Sequence, residues 1–264
     1  MKKYIVIGNP IDHSLSPKLH NFWYRQNNSN PDYEKKKMNI EEIKGLILTL
    51  KEKKIHGINV TVPFKKDIIP FLDQISLEAK STQSVNTIYL KDEKAIGHNT
   101  DIDGFELAIK NLKINLIDKT ILILGAGGVV PSLIFALNKM KVSKIIISNR
   151  TQKKAENLKN LFRGIEVIDW GDIPNTDMVI NATSLGLNEE DKFDLDFSKL
   201  KNKFFYDVIY NPKETNFLKI ARKLGNTGEN GKMMFIYQAQ AAFKIWHTIQ
   251  PIVNNELMNL LNND

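Results

Sequence analysis

Short runs of apolar residues alternate along the chain with longer segments in which apolar residues recur every three or four positions. The short runs, of strand length, are 3–7, 55–61, 120–124, 144–148, 178–181 and 204–208. Helical spacing marks 17–26, 41–54, 103–112, 129–140 and 233–261. Such alternation of strand-like and helix-like segments is typical of α/β proteins. The pattern therefore predicts an α/β fold.

Cap and turn residues refine the positions of these elements. Ser16 and Pro17 are the residue types preferred at the N-cap and first position of a helix, so they predict where one helix begins. Pro63 is predicted to open another helix. Polar residues at 91–94 interrupt a strand-like stretch at 85–97, which predicts a β-hairpin with its turn there.

The chain has 264 residues, of which 42% are hydrophobic, and this length favours two domains. We expect one domain to comprise residues 1–102, completed by the C-terminal helical segment 233–264. The other domain would comprise residues 103–232, entered through the helix that begins near Asp103.

Composition excludes several classes of protein. The chain has no cysteine, which rules out a disulfide scaffold and a thiolate metal site or nucleophile. Its apolar runs are far too short to span a membrane, so we expect a cytoplasmic enzyme. The net charge of +7 raises the question of nucleic acid. However, the lysines are scattered, without a basic helix interleaved with aromatics, which favours a solvated surface with small anionic ligands over a nucleic-acid site.

A glycine-rich turn follows the apolar strand at 120–124. Gly125-Ala126-Gly127-Gly128 stands between that strand and the helical segment that starts near Val129. In this context the backbone amides and the helix N-terminus can bind a pyrophosphate. Pro131 fits the first turn of a helix, whereas Val130 occupies the position where the motif usually has its third glycine. The alternative is a glycine-rich turn that binds no ligand.

The next strand, 144–148, distinguishes between the two nicotinamide cofactors. An NAD-binding domain usually has an acidic residue at the end of this strand to bind the ribose hydroxyls. Here the strand is followed by Asn149-Arg150-Thr151-Gln152-Lys153-Lys154, which contains no acid. A guanidinium can bind a 2′-phosphate in forked geometry, so the sequence predicts NADP. A helix start capped by Thr151 with a basic surface is compatible with this interpretation.

Three segments of the first domain are unusually polar where their strands end, namely 8–17, 59–65 and 97–101. Ligands of α/β proteins bind at the carboxyl ends of strands. Hydroxyls, amides, one lysine and one aspartate suit a small polyhydroxylated acid. Individually, Ser16 and Asp101 could be helix caps, and Lys65 could be a surface lysine. No histidine pair has metal-ligand spacing, and we expect no metal.

Taken in order, these motifs resemble those of the shikimate dehydrogenase family over nearly the whole chain. The matching elements are 8–21, Asn59 to Lys65, Val85-Asn86-Thr87, Asn99-Thr100-Asp101, Asn149-Arg150-Thr151, Asn181 to Gly186, Asp207 to Pro212, and Gln238 within 238–243. Two positions depart from the family pattern. Gln83-Ser84 replaces a usual Gly-Ala, and Lys232-Met233 replaces a small residue and a glycine.

The resemblance implies an N-terminal substrate-binding domain, a Rossmann-type NADP-binding domain, and C-terminal helices that pack back on the first. It implies that NADPH reduces 3-dehydroshikimate to shikimate, with Lys65 and Asp101 as the catalytic pair. The implied substrate ligands are Ser14, Ser16, Thr61, Asn86, Asp101, Tyr210 and Gln238. The implied cofactor contacts are Gly125, Ala126, Gly127, Gly128, Val129, Asn149, Arg150, Thr151, Gln152, Lys153, Lys154, Val208 and Gly231.

Two other functions are compatible with these motifs. One is a quinate/shikimate dehydrogenase that uses NAD, which the basic cluster around Arg150 disfavours. The other is a substrate-sensing protein without catalytic activity. Such a protein could dispense with Lys65 or Asp101, yet both residues are present. The sequence does not determine the oligomeric state, and it is compatible with a homodimer.

Overall fold

The computed structural model describes residues 2–29, 31–188 and 190–262. Within it the chain forms two compact units. Unit 1 consists of Met1–Gly104 and Ile236–Asp264, and unit 2 consists of Phe105–Phe235. In the described part of the chain, no helix combines the length and apolar character needed to cross a bilayer.

Strands and helices alternate through both units. The elements up to the first unit boundary are β1 (Lys3–Gly8), α1 (Ser16–Gln26), β2 (Asp32–Lys37), α2 (Ile43–Lys51), β3 (Gly57–Val60), β4 (Gln74–Ile75), α3 (Leu77–Thr82), β5 (Thr87–Lys91), β6 (Lys94–His98) and α4 (Asp101–Asn111). They are followed by β7 (Thr120–Leu124), α5 (Val130–Lys139), β8 (Lys144–Ser148), α6 (Gln152–Leu161), β9 (Ile165–Ile168), β10 (Met178–Asn181), β11 (Phe204–Asp207), α7 (Asn216–Lys223), β12 (Thr227–Glu229), α8 (Lys232–His247) and α9 (Asn255–Leu260). Single 3₁₀ turns occur at Ile40–Glu42 and Ile69–Phe71.

Unit 1 is built on a mixed six-stranded sheet in the order β2-β1-β3-β5-β6-β4. Strand β1 is parallel to both β2 and β3, whereas β5 is antiparallel to β3 and β6. One face buries Ile5, Ile7 and Ile58 against α2, whose Ile43 and Leu50 are fully buried. This packing places the ends of β1 and β3 next to each other.

An aromatic cluster in unit 1 joins α1, β2 and α8. His20 stacks on Tyr33 with ring centroids 4.2 Å apart, and it also contacts Trp23, Phe243 and Trp246. The Trp246 indole nitrogen donates to the carbonyl oxygen of Ile88 in β5 (3.1 Å). The prediction that the C-terminal helices pack back on the first part of the chain is confirmed.

The sheet of unit 2 is wholly parallel, in the order β12-β11-β10-β7-β8-β9. Numbered from β7, this is the 3-2-1-4-5-6 order of dinucleotide-binding domains. The strand order reverses between β7 and β10, which are direct neighbours. The glycine-rich turn follows β7, at the point where such sheets bind their ligands. The predicted Rossmann-type fold is confirmed.

Two sequence-based predictions about helix starts are wrong. Residues 62–68 form turns instead of a helix opened by Pro63, because the carbonyl oxygen of Lys65 accepts from the amide of Val85 (2.8 Å) instead of from the helix. Ser16 is the first residue of α1 and not its N-cap, which is Leu15. Ser16 is instead buried, near enough to Tyr33 to lower the pKa of that phenol against the raising effect of burial.

Other elements differ in extent or escaped prediction. The C-terminal helical segment is two helices, α8 and α9, separated by a stretch that contains Pro251. Its last two residues, 263 and 264, lie outside the described residues. The edge strands β2, β9 and β12 went unpredicted, because an edge strand is not buried on both sides and β2 carries three lysines. The predicted hairpin is confirmed, with Asp92 and Glu93 at φ 49° and 61° as a type I′ turn requires.

Candidate active site

The loops that follow β1 and β3 lie side by side in unit 1. The amide of Thr61 donates to the carbonyl oxygen of Ile7 (2.9 Å). A Cβ atom at Gly8 would lie 2.6 Å from Cγ2 of Thr61, so glycine is needed for the two loops to approach this closely. Ser14 and Ser16 follow in the first of these loops, and the amide of Ser16 donates to the hydroxyl of Ser14 (3.3 Å). Ser16 is buried and Ser14 half-buried.

Lys65 and Asp101 form an ion pair. The lysine Nζ lies 2.6 Å from Oδ2 of Asp101, and the two side chains are only 13% and 9% exposed. The pair joins the loop after β3 to the first residue of α4, 36 positions later in the chain. An ion pair that is so little exposed to solvent is stable only when its other hydrogen-bonding atoms also have partners.

Asn86 supplies that second partner. Its Nδ2 donates to Oδ1 of Asp101 (2.8 Å), while its Oδ1 accepts from the amide of Thr100 (2.7 Å). The hydroxyl of Thr87 also donates to Oδ1 of Asn86 (3.0 Å). Each carboxylate oxygen of Asp101 therefore has one protein donor and can still accept one more hydrogen bond. The predicted catalytic pair and Asn86 are brought together in one polar cluster.

Sequence reasoning missed part of this cluster. Asn59 is buried at the end of β3, and its Nδ2 donates to the carbonyl oxygen of Asn86 (3.1 Å) and to the hydroxyl of Thr87 (3.1 Å). Its Oδ1 accepts from the hydroxyl of Tyr33 (2.6 Å). Asn59 is the first residue of the element Asn59 to Lys65, so the sequence could have indicated its place in the cluster. Tyr33 gave no such signal, because it lies on the unpredicted strand β2.

The two remaining predicted substrate ligands lie in different units. Gln238 is half-buried in the part of α8 that belongs to unit 1. Tyr210 belongs to unit 2, where its ring stacks on Phe235 with centroids 4.4 Å apart. In the described residues, no group of three or more histidine, cysteine or acidic side chains could hold a metal ion.

The glycine-rich turn of unit 2 has two kinds of glycine. Gly125 has φ +107°, and a Cβ atom there would lie 2.7 Å from the carbonyl oxygen of Ala182. Glycine is therefore required here, because the backbone that follows β10 passes so close. At Gly128, by contrast, a Cβ atom would meet no atom of the described residues within 4 Å. Val129 follows as the N-cap of α5, and Pro131 lies in its first turn. Open space at a helix N-terminus suits an anionic ligand.

The segment after β8 is exposed and basic. Arg150, Thr151, Gln152, Lys153 and Lys154 are all exposed, at the start of α6. The half-buried Asn149 fixes the turn, because its Nδ2 donates to the carbonyl oxygen of Thr151 (2.7 Å). Thr151 is the N-cap of α6, but its side chain makes no capping hydrogen bond. Since the sequence from 149 to 154 contains no acidic residue, the strand end carries positive charge alone.

Val208 and Gly231 are in direct contact, since a Cβ atom at Gly231 would overlap the carbonyl group of Val208. Asp207, which precedes Val208, is fully buried at the end of β11. Its carboxylate accepts from Asn181 (3.0 Å) and Thr215 (2.6 Å). Burial raises the pKa of Asp207 to about 6. This network holds the ends of β10 and β11 in place.

Comparisons with known proteins identify the family of the chain. Residues 6–88 match the family model of the shikimate dehydrogenase substrate binding domain, and residues 106–212 match that of shikimate / quinate 5-dehydrogenase. A protein named shikimate dehydrogenase (NADP(+)) from Pelagibacter ubique (strain HTCC1062) is 58% identical over 261 residues, covering 98% of each chain. The chain belongs to the shikimate dehydrogenase family. The resemblance inferred from the motifs is thereby confirmed.

Solved structures of shikimate dehydrogenases superpose on the chain over almost its whole length. The enzyme from Aquifex aeolicus has a TM-score of 0.90 and 37% identity, covering 100% of this chain and 98% of that one. The enzyme from Thermus thermophilus, in complex with NADP(H) and shikimate, has a TM-score of 0.88 and 30% identity, with 96% and 95% covered. This member of the family thus shares both the sequence motifs and the fold of these enzymes.

Proposed function

We propose that the chain is an NADP-dependent shikimate dehydrogenase. It would catalyse the reversible reduction of 3-dehydroshikimate to shikimate by NADPH, a step on the way to chorismate and the aromatic amino acids. The observation that carries the proposal is the buried pair of Lys65 and Asp101 within the polar cluster of unit 1, in a chain 58% identical to a protein of that name.

The residues of unit 2 fit NADP. The open N-terminus of α5 beside Gly128 suits the pyrophosphate, and the contact between Gly231 and Val208 would form another part of the site. Arg150 and the lysines that follow it would bind the 2′-phosphate, since a guanidinium forms paired, charge-assisted hydrogen bonds with phosphate. The absence of an acidic residue directly after β8 favours NADP over NAD. When bound, NADPH supplies the hydride.

The polar cluster of unit 1 would bind the substrate. Ser14 and Ser16 would bind its carboxylate, while Thr61 and Asn86 would bind ring hydroxyls. We also assign Tyr210 and Gln238 to substrate binding. Hydroxyl and amide groups held by their own hydrogen bonds suit a small polyhydroxylated acid, because they are oriented before it binds.

Lys65 would act as the general acid. As the ketone carbon gains a hydride, the ketone oxygen becomes basic, and the ammonium group of Lys65 would give it a proton. The resulting neutral amine would recover a proton from solvent. Asp101 keeps Lys65 in place through the 2.6 Å contact, and its free lone pairs would accept from a neighbouring substrate hydroxyl.

We assign the two functions to separate domains. Residues 1–102 with 233–264 would form the substrate-binding domain, and residues 103–232 the NADP-binding domain. The absence of cysteine is compatible with a cytoplasmic location. A homodimer stays a prediction, which sedimentation of the purified chain would test.

The deciding experiment measures 3-dehydroshikimate reduction with NADPH and with NADH side by side, followed by oxidation of shikimate and of quinate. We expect activity with NADPH far above that with NADH, and shikimate as the strongly preferred substrate. Quinate has an extra hydroxyl on the carbon that bears the carboxylate, which would crowd the site. Equal efficiency with both acids would instead indicate a quinate/shikimate dehydrogenase, and no turnover at all would indicate a substrate-sensing protein.

A further inference from the structure

Tyr33 reaches across one strand to the polar cluster of unit 1. It lies on the edge strand β2, and the sheet order places β1 between β2 and β3. Its ring is 1% exposed, and its hydroxyl lies 2.6 Å from Oδ1 of Asn59 on β3. Tyr33, which is not one of the catalytic pair, therefore contacts Asn59, whose side chain is hydrogen-bonded to Asn86 and Thr87.

The direction of this hydrogen bond follows from the other partners of Asn59. Its other amide atom lies 3.1 Å from the carbonyl oxygen of Asn86. A carbonyl oxygen only accepts, so the atom facing it must be the NH₂ group. The oxygen of the Asn59 amide consequently faces Tyr33, and Tyr33 donates. Burial also raises the pKa of Tyr33 well above its usual value, so the phenol keeps its proton.

Ser16 lies near Tyr33. Its side chain lowers the pKa of Tyr33, as a donor directed toward the phenol oxygen does, and the proton of Tyr33 itself is already donated to Asn59. The ring of Tyr33 is held in turn by His20, which stacks on it at 4.2 Å and 3°, one helical turn after Ser16. Ser16 is buried beside this ring, and its hydroxyl proton can rotate from Tyr33 toward a substrate oxygen.

We propose that Tyr33 is a positioning residue of the reaction, which connects Ser16 on one side to Asn59, Asn86 and Asp101 on the other. This inference rests on the proposed function. The connection runs from Tyr33 to Asn59, then from Asn59 to the backbone carbonyl of Asn86, and from the Asn86 side chain to Asp101. One phenol would thereby orient a group that binds the substrate and support the catalytic pair.

The test is the variant Tyr33→Phe, which keeps the stacked ring and removes the hydroxyl. We expect the KM for shikimate to rise about 3- to 10-fold, the equivalent of one neutral hydrogen bond, together with a lower kcat. The matched control is Tyr24→Phe. Tyr24 belongs to the same aromatic cluster, but its hydroxyl contacts His247 (3.2 Å), so both constants should stay at wild-type values.

A double-mutant cycle with Ser16→Ala separates positioning from loss of stability. If Tyr33 acts through Ser16, Tyr33→Phe should raise the KM much less in the Ser16→Ala background than in the wild type. Additive effects, or an unchanged KM in the single variant, would overturn the proposal. A wild-type enzyme without shikimate turnover would instead refute the proposed function, so the two failures are distinguishable.

A second measurement needs no variant, in case Tyr33→Phe does not fold. A buried, hydrogen-bonded phenol proton exchanges slowly enough to be sought by NMR in the wild-type protein. We expect the hydroxyl resonance of Tyr33 to shift on saturation with shikimate, because Ser16 turns its proton toward the ligand, while that of Tyr24 stays in place. A Tyr33 resonance that does not respond to bound shikimate would contradict the proposal.

Discussion

His20 makes the stability of unit 1 sensitive to acid. Its imidazole is completely buried among aromatic rings, and neither ring nitrogen has a hydrogen-bond partner among the described residues. Burial lowers the pKa of His20 from 6.5 to about 3, and the nearby His247 contributes to this lowering. A histidine that must stay neutral in the folded state, but takes up a proton when unfolded, favours unfolding as the pH falls below 6.5.

The size of the effect follows from the two pKa values. Between pH 6.5 and pH 3 the unfolded chain holds one more proton at this position, so stability declines as the pH falls. From pH 7 to pH 5, the free energy of unfolding should fall by about 2 kcal/mol on account of His20 alone. His20→Phe removes this contribution while it keeps an aromatic ring in the cluster. We therefore expect the loss between pH 7 and pH 5 to be about 2 kcal/mol smaller in His20→Phe than in the parent.

The assay is urea unfolding followed by tryptophan fluorescence at both pH values. A Trp170→Phe background leaves Trp23 and Trp246, whose rings lie 5.7 and 5.5 Å from that of His20, so the signal reports on unit 1. The comparison uses the difference between pH values, because the larger phenyl ring can change stability equally at both. His13→Phe, on an exposed loop, controls for the loss of an imidazole and should keep the parent's pH dependence.

The reasoning would be refuted if His20→Phe lost as much stability between pH 7 and pH 5 as its parent. That result would mean that His20 is solvated or hydrogen-bonded in the folded protein, so that its folded and unfolded pKa values are similar. It would also remove His20 as a rigid support for Tyr33.

Three further predictions concern the cofactor, the chemistry and one strained turn. Arg150→Asp should raise the KM for NADPH at least about 10-fold by replacing a charge-assisted contact with repulsion, with little change for NADH. Arg163→Asp, at another exposed arginine of unit 2, is the control, and equal losses with both cofactors would contradict the assignment. Lys65→Ala should lower kcat about 10²–10⁴-fold with little change in KM. Asp101→Ala should lower kcat and also raise KM. In steady-state kinetics, the double variant should lose less activity than the product of the two single effects. Near-normal kcat with a raised KM in Lys65→Ala would make Lys65 a binding residue. Gln83 ends α3 in the left-handed conformation at φ 48°, and its side chain donates to the carbonyl oxygen of Lys80 (2.7 Å). Gln83→Gly and Gln83→Ala both lose this hydrogen bond, but only glycine relieves the backbone strain, so thermal unfolding should show Gln83→Gly to be more stable than Gln83→Ala by about 1 kcal/mol. Equal stability of the two variants would contradict this account of the turn.

Much of unit 2 could be predicted from local sequence. The strands β7 and β8 are central and buried on both faces, so they appear as continuous apolar runs. The glycine-rich turn and Pro131 mark the junction between β7 and α5 because backbone conformation at these positions admits few residue types. Right-handed crossovers between parallel strands then restrict the possible strand orders, of which the Rossmann order is one. The edge strand β12 lacked such a signal, since its sequence is Thr-Gly-Glu.

In unit 1 the sequence determined which residue types stand at the strand ends, but tertiary structure decided their partners. Polar residues directly after buried strands indicate a ligand site, because burying a polar side chain without a hydrogen-bond partner costs free energy. That Lys65 pairs with Asp101, 36 positions away, and that Tyr33 donates to Asn59, 26 positions away, depends on the order and register of the sheet. A hydrogen bond between residues far apart in the chain produces no periodic pattern of apolar and polar residues, so the sequence does not reveal it. For the same reason, Ser16, predicted as a helix cap, is instead buried near Tyr33, which only folding brings close to it.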